Sequence, residues 1–183
     1  MKKLLAIGMV LVMSVAMLTG CGDKGGDKKA DAGVKGEVYD AGNVDVFVPE
    51  GWMAIPVSDI WAEEENAVDP DQIQVYKGAE SEWDILTCPG VDVVYYDEKT
   101  DMMKPSSDWY DEAKDIEPIT AGDKTWEGFT GTSFEAPLAI LWTGEAGGDQ
   151  FQVTVWLETD EATIALDDAD FLAILEGVTA SAN

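Results

Sequence analysis

Histidine and arginine are both absent from this sequence of 183 residues. Without histidine the chain cannot build a Ser-His-Asp or Cys-His nucleophile system or a histidine-ligated zinc site. Without arginine it has no bidentate clamp for phosphate or carboxylate groups. It also contains no Gly-x-Ser-x-Gly elbow, Walker phosphate loop or dinucleotide-binding glycine pattern. These absences exclude most enzyme classes that need an activated nucleophile or a bound nucleotide, and we assign no catalytic residue.

Basic residues are scarce: 11 lysines stand against 37 acidic residues, for a formal net charge of -26. Nucleic-acid binding depends on basic patches that release counterions from the phosphates, so this composition excludes nucleic acid as a partner. Anionic lipid headgroups would be repelled by the same surface. We expect a surface that meets cations, basic polypeptides or neutral sugars.

Cysteine is also rare, and its first occurrence closes the amino-terminal segment. In this segment two lysines follow Met1, and the mostly apolar run 4–18 comes next. Such a length and such flanks are typical of a secretory signal and too short for a membrane-spanning helix. The run Leu18-Thr19-Gly20-Cys21 resembles the lipobox of bacterial lipoproteins, in which a peptidase cuts before the cysteine and the thiol carries a diacylglycerol.

This resemblance implies a mature chain that begins at Cys21 and is held at a lipid bilayer through that acylated residue, facing outside the cytoplasm. Two or three acyl chains at one site bind a membrane well beyond the reversible hold of a single chain. The alternative is an ordinary secreted protein in which Cys21 lies near the cut by chance. With Cys21 acylated, Cys88 has no disulfide partner, and its neighbours favour a buried, inert thiol.

The composition divides the chain into three parts. Residues 1–20 are the expected lipoprotein signal peptide. Residues 21–36 are the lipidated cysteine and a glycine-rich stretch with almost no apolar content, typical of a flexible tether. Residues 37–183 carry nearly all the acidic side chains and are long enough for a single acidic domain with its own core.

Hydrophobic periodicity predicts an α+β domain, with a mostly antiparallel β-sheet and a few helices packed on it. Val44, Val46 and Val48 alternate with other residues at period two, and residues 151–158 form a strand with one apolar and one polar face. Caps and early acids predict short helices at 58–65 and 109–115 and an amphipathic helix at 171–176. Runs of strands with helices packed on one face are typical of the α+β class.

Several stretches together resemble one known fold. The strand and turn at 46–52, the strand 126–129 and the closing helix 171–175 are similar, in order and pattern, to the PsbP-like α/β/α sandwich, a fold similar to that of some small bacterial lipoproteins. The resemblance covers about residues 37–180. The acidic stretch 63–71 and the lack of histidine depart from the pattern, and no functional residue is transferred from that family.

Acidic clusters are the candidates for a metal site. Calcium takes six to eight oxygen ligands, and we single out Asp97 with Asp101 and Asp69 with Asp71. None of these matches the twelve-residue calcium loop, because the glycine at its sixth position and its final Glu are missing. No cofactor is required by the sequence, and calcium stays open.

Seven tryptophans are many for this length, and exposed aromatic faces bind sugar rings or partner side chains. Trp61, Trp109 and Trp156 have polar or acidic neighbours, so we predict that they are exposed ligand-binding candidates. The other four lie in or beside predicted strands and are expected to pack in the core: Trp52, Trp83, Trp126 and Trp142.

These features favour a membrane-anchored extracytoplasmic lipoprotein that acts as a non-catalytic binding or accessory module of the cell envelope, with an unidentified protein or carbohydrate ligand. The alternative is a carboxylate-dependent hydrolase acting on an envelope or extracellular polymer, which needs two facing carboxyl groups about 5–10 Å apart. A third reading is an accessory subunit that docks a basic partner through its acidic face, with binding that weakens in salt.

Overall fold

Antiparallel strands make up most of the chain in the computed structural model, which describes residues 33–182. The expected signal peptide, Cys21 and most of the expected tether lie outside the described residues. Within them the chain folds into two sheets and one α-helix. The amino-terminal strand already begins at Gly36, and the backbone N–H of Glu50 donates to the carbonyl of Lys35 (2.8 Å).

The small sheet has three antiparallel strands in the order β1-β2-β11: β1 (Gly36–Asp40), β2 (Val44–Pro49) and β11 (Thr179–Ala180). The alternation at Val44, Val46 and Val48 places all three side chains in the core, as the period-two pattern predicts. Phe47 points to the opposite face, where it packs against Ala173.

The large sheet is also antiparallel and has the order β3-β4-β5-β10-β9-β8-β6, with β7 pairing with a further stretch of β8. Its strands are β3 (Trp52–Ser58), β4 (Val68–Lys77), β5 (Gly90–Tyr96), β6 (Asp111–Asp115), β7 (Ile119–Ala121), β8 (Lys124–Ser133), β9 (Ala136–Thr143) and β10 (Gln150–Trp156). Because side chains alternate along each strand, the register fixes two faces.

The inner face of the large sheet is aliphatic and packs against the small sheet and the helix in one core. The residues of β4, β5, β9 and β10 on this face are completely or almost completely buried: Ile73, Val75, Val91, Val93, Leu141, Val153 and Val155. On the opposite side of the large sheet, which we call the outer face, β4, β5 and β10 carry the polar residues discussed below, and β9 carries Leu138, Ile140 and Trp142.

The helix α1 (Ala169–Gly177) closes the core. Phe171, Ile174 and Leu175 are fully buried at helical spacing, and α1 packs along β2. Asp168 precedes the helix, and its side chain accepts hydrogen bonds from Lys77 Nζ (3.2 Å) and the backbone N–H of Ala165 (3.1 Å). The negative charge also lies at the end of the helix where the macrodipole is positive.

The expected α+β class is wrong, because residues 33–182 hold one α-helix in an otherwise β-rich fold. The helical layers of an α/β/α sandwich are missing from this part of the chain. In the expected helix 58–65, Ser58 ends β3 and residues 59–65 form turns and bends. Residues 109–115 complete a short 3-10 turn (Ser107–Trp109) and then form β6. Among the expected helices, only the closing one is confirmed.

Local hydrogen bonds and strand pairing explain both corrections. Asp59 Oδ1 accepts from the backbone N–H groups of Trp61 (2.9 Å) and Ala62 (3.1 Å), the pattern of a helix N-cap. No helix follows, because the backbone N–H of Asp59 donates to the carbonyl of Ala67 (2.8 Å) and residues 59–67 form the connection between the paired strands β3 and β4. At the second site Lys114 pairs with Thr130 of β8. Tertiary pairing at the sheet edge therefore overrides the local helix propensity.

Substitutions in α1 test this account of the core. Ile174→Ala removes a fully buried side chain and should lower the free energy of unfolding by about 2–5 kcal/mol. Leu172→Ala, on the partly exposed side of the same helix, is the matched control and should cost about 1 kcal/mol or less. Urea unfolding of both variants measures the difference; equal losses would contradict the packing described.

Candidate functional site

Polar side chains occupy the outer face of the large sheet in two rows across neighbouring strands. In the first row Gln74, Asp92 and Thr154 stand side by side on β4, β5 and β10. In the second row Gln72 and Gln152 flank Val94 on the same three strands. Directly paired residues lie about 5 Å apart, so the amide, carboxyl and hydroxyl groups of the first row are adjacent, whereas Val94 separates the two amides of the second row.

Two tryptophans border these rows, and each indole N–H is held by a carboxylate. Trp156 Nε1 donates to Asp92 Oδ2 (3.3 Å), and Trp142 Nε1 donates to Glu127 Oε2 (3.1 Å). Both indoles are half-buried, and both pack against the cluster of Phe129, Leu138 and Ile140. These contacts hold the rings in place while part of each remains open to solvent.

Asp92 is the unusual residue of this face. Its Oδ1 atom is buried and accepts no hydrogen bond from any of residues 33–182. Burial raises the pKa of its carboxyl group, although hydrogen bonds from Trp156 and Gln74 act in the opposite direction. Burial and the nearby Asp92 also raise the pKa of Tyr76 to about 12. An isolated carboxyl group in the middle of a strand therefore carries a desolvation cost.

A cavity of about 470 Å³ lies beside Trp142 and extends the outer face toward the start of β8. Lys104 Nζ sits 5.6 Å from the centre of the Trp142 ring and 3.6 Å from Glu127 Oε2. Because Lys104 and Glu127 are both more than half exposed, this ion pair contributes little to stability. Its effect is to place one positive and one negative group beside an indole ring.

A second cavity, of about 350 Å³, lies where β5 ends. Asn43 Nδ2 donates to Asp71 Oδ1 (2.9 Å), and Tyr95 Oη donates to Asp149 Oδ1 (2.7 Å). A hydrogen bond from the Thr100 hydroxyl is the main cause that lowers the pKa of Asp97. The lining is mostly polar: Asn43, Asp71, Tyr95, Tyr96, Asp97, Thr100 and Ser181.

The acidic residues predicted as metal ligands do not form the two predicted groups. Asp71 and Asp97 line the same cavity, whereas Asp69 accepts from the backbone N–H of Asp71 and from Gln72 Nε2 within β4. Asp101 is exposed. Among residues 33–182 no three or more acidic or cysteine side chains are grouped to hold a metal ion. Calcium binding stays a prediction without a defined ligand set.

The expected binding tryptophans lie apart from one another. Trp61 (89% exposed) follows β3, and Trp109 (63%) precedes β6, while Trp156 borders the outer face. Trp83, expected in the core, is instead 83% exposed. Trp142 was also expected to pack in the core, but it is only half-buried.

Sequence reasoning missed Asp92 and Trp142. A signal for Asp92 was present, because a lone acid inside the run 91–96 of β-formers is unusual in a strand. For Trp142 the signal was hidden, because the run 138–143 is apolar on both faces and shows no alternation. Only the register, which places Trp142 between Gln152 and Glu127, reveals its position.

No family model matches the chain, and a search of the curated proteins finds no match either. Among residues 33–182 no helix is both long and apolar enough to cross a membrane.

Asp92→Asn tests the electrostatic state of the outer face. The pKa of Asp92 is raised in the folded state, so the wild type keeps its full stability below the unfolded-state pKa of about 4 and loses part of it as the pH rises from there through the folded-state pKa. The amide removes this loss and can still accept from Trp156. We therefore expect the melting temperature of the variant, relative to wild type, to increase from pH 4 to pH 8.

Asp101→Asn, which removes one charge from an exposed loop, is the control and should show no comparable trend with pH. Thermal unfolding followed by circular dichroism measures both variants. An Asp92→Asn variant that is less stable than wild type at every pH would contradict the assignment of a desolvated carboxyl group.

Proposed function

We propose that the protein is a membrane-anchored extracytoplasmic binding module that catalyses no reaction and binds a neutral carbohydrate on the outer face of its large sheet. The observation that carries this proposal is the pairing of two fixed, half-buried indoles with rows of amide and hydroxyl groups on adjacent strands. The membrane anchor rests on the separate resemblance of Leu18-Thr19-Gly20-Cys21 to a lipobox.

The chemistry of the outer face suits sugar hydroxyl groups. Each side-chain amide of Gln72, Gln74 and Gln152 offers both a donor and an acceptor, which matches the mixed hydrogen bonding of a hydroxyl. The indoles of Trp142 and Trp156 offer apolar surface against which the C–H face of a pyranose ring can pack. The strongly acidic surface around them disfavours polyanionic ligands.

The hydrolase alternative finds less support in the same residues. Asp92 and Glu127 lie on β5 and β8, three strand spacings or about 14 Å apart, and each is bound to a different tryptophan. In the second cavity the pKa of Asp97 is lowered, which is the wrong direction for a general acid. A hydrolase would therefore depend on Asp71 acting opposite Asp97.

Binding of neutral polysaccharides tests the proposed ligand. The double variant Gln72→Ala/Gln152→Ala removes two amides of one row without touching the core, and we expect it to weaken binding at least tenfold. Trp109→Ala removes an exposed indole elsewhere and should bind as wild type does. Isothermal titration with oligosaccharides chosen from a glycan array gives the affinities.

Two outcomes would overturn this assignment. The first is an array with no neutral glycan bound, or with binding that the double variant leaves unchanged. The second is release of reducing sugar from a polysaccharide, lost in both Asp71→Asn and Asp97→Asn, which would favour the hydrolase.

Metabolic labelling tests the anchor. Expressed in a bacterium fed an alkyne-tagged palmitate, the wild-type chain should take up the label and sediment with membranes, because Cys21 carries the acyl chains. Cys21→Ala should lose the label completely. Cys88→Ala, which changes the buried second cysteine, should keep it. Label that persists in Cys21→Ala would contradict the lipobox assignment.

A further inference from the structure

Three large apolar side chains are almost fully exposed at one end of the large sheet. Trp83 (83% exposed) and Leu86 (82%) lie in a 3-10 turn of the loop 78–89, between β4 and β5, and Phe134 (100%) lies in the turn between β8 and β9. Both connections leave the sheet at the same end, and β5 and β9 are two strand spacings, or about 10 Å, apart. We call these two connections the apolar tip.

The chain also enters the fold at this end. Lys35 accepts a hydrogen bond from the backbone N–H of Glu50, and Gly51 accepts one from the backbone N–H of Gly78 (2.9 Å), the first residue of the loop that carries Trp83. Residues 33–35, which precede β1, therefore lie near the apolar tip, separated from it by the turn at Glu50 and Gly51. Gly33, the first described residue, follows Cys21 by twelve residues.

The backbone conformation at Phe134 is unusual for an aromatic residue. Phe134 and Glu135 have φ angles of 50° and 68° and form a two-residue hairpin turn whose positive φ values normally favour Asn and Gly. An aromatic residue there accepts an unfavourable backbone conformation and leaves its whole ring in water. Such a placement indicates a contact made outside the chain.

We propose that the apolar tip rests on the lipid bilayer to which the chain is anchored. This inference relies on the anchor part of the proposed function. A glycine-rich chain of twelve residues spans about 20 Å on average, so an acylated Cys21 would hold the tip close to the membrane surface. At the resulting high effective concentration even a weak apolar contact is populated. Tryptophan is the side chain that favours the membrane interface most.

The charges around the tip decide which lipids it meets. Glu80, Glu82 and Glu135 are exposed beside the apolar residues, so anionic headgroups would be repelled. Asp84 differs, because its Oδ2 accepts from the backbone N–H groups of Glu80 (2.9 Å) and Ser81 (2.8 Å) and so shapes the loop. The tip therefore fits a zwitterionic lipid surface and should leave a strongly anionic one at low salt.

Trp61 provides a matched control within the same molecule. It is 89% exposed but follows β3 at the opposite end of the sheet, about 25 Å from the apolar tip along the strand. The chain does not enter the fold there. A tryptophan of equal exposure at this end should remain in water while the tip touches lipid.

Quenching by brominated lipids tests the contact. The full-length lipidated protein is reconstituted in phosphatidylcholine vesicles with brominated acyl chains, and its tryptophan fluorescence is compared with that in unbrominated vesicles. Trp83→Phe should remove most of the quenched component, whereas Trp61→Phe should leave it intact. Replacing half of the lipid by an anionic lipid should reduce quenching, and added salt should restore it.

A second variant separates contact from folding. Phe134→Asn places a residue that tolerates positive φ in the turn, so it should keep or raise the melting temperature while it weakens quenching of Trp83. The proposal is overturned if the labelled, anchored protein shows no quenching, or if Trp61→Phe rather than Trp83→Phe removes it. Absence of the palmitate label would instead overturn the anchor itself, and the docking inference with it.

Discussion

Packing between the inner face of the large sheet and the layer formed by β2 and α1 is the interaction on which the rest of this structure depends. No disulfide supports it, since Cys88 is the one cysteine within the described residues and its thiol is free. The ion pairs formed among residues 33–182 are exposed or partly exposed and add little. Apolar burial therefore supplies the stability, mainly on the inner face, with a smaller buried cluster of Phe129, Leu138 and Ile140 on the outer face of β8 and β9. The outer side of β4, β5 and β10 is left for polar residues.

The excess of acidic residues makes this separation of apolar core and polar surface necessary. Few lysines are present to neutralise the carboxylates, so most acids must stay in water, and the core is built from aliphatic and aromatic side chains. Asp92 is the exception, because it is desolvated on the outer face and only one of its oxygens is hydrogen-bonded. The carboxyl group that reduces stability in this way also orients a neighbour, the indole of Trp156.

Much of the fold follows from periodicity, and the errors have identifiable causes. The alternation in β2 and β10 and the spacing of Phe171, Ile174 and Leu175 gave the correct faces, because burial on one side leaves a period in the sequence. The two wrong helices lay in acidic stretches where closure of the β3–β4 hairpin at Asp59 and pairing with β8 outweighed local propensity. The site was harder to predict from the sequence. The hydrogen bonds of Trp156 to Asp92 and of Trp142 to Glu127 depend on strand order and register, which no local sequence pattern contains.

Strand direction gives the domain two unlike ends. The chain enters beside the loop that carries Trp83, whereas the cavity containing Asp71 and Asp97 lies at the other end of β4 and β5. The outer face runs between them as a side wall. A binding surface on a side wall stays open to solvent when either end touches another surface, whereas a site built from end loops would be covered by the same contact. Because the amides lie on strands whose backbones are fixed by the core behind them, the proposed ligand binding would be independent of how the domain is held.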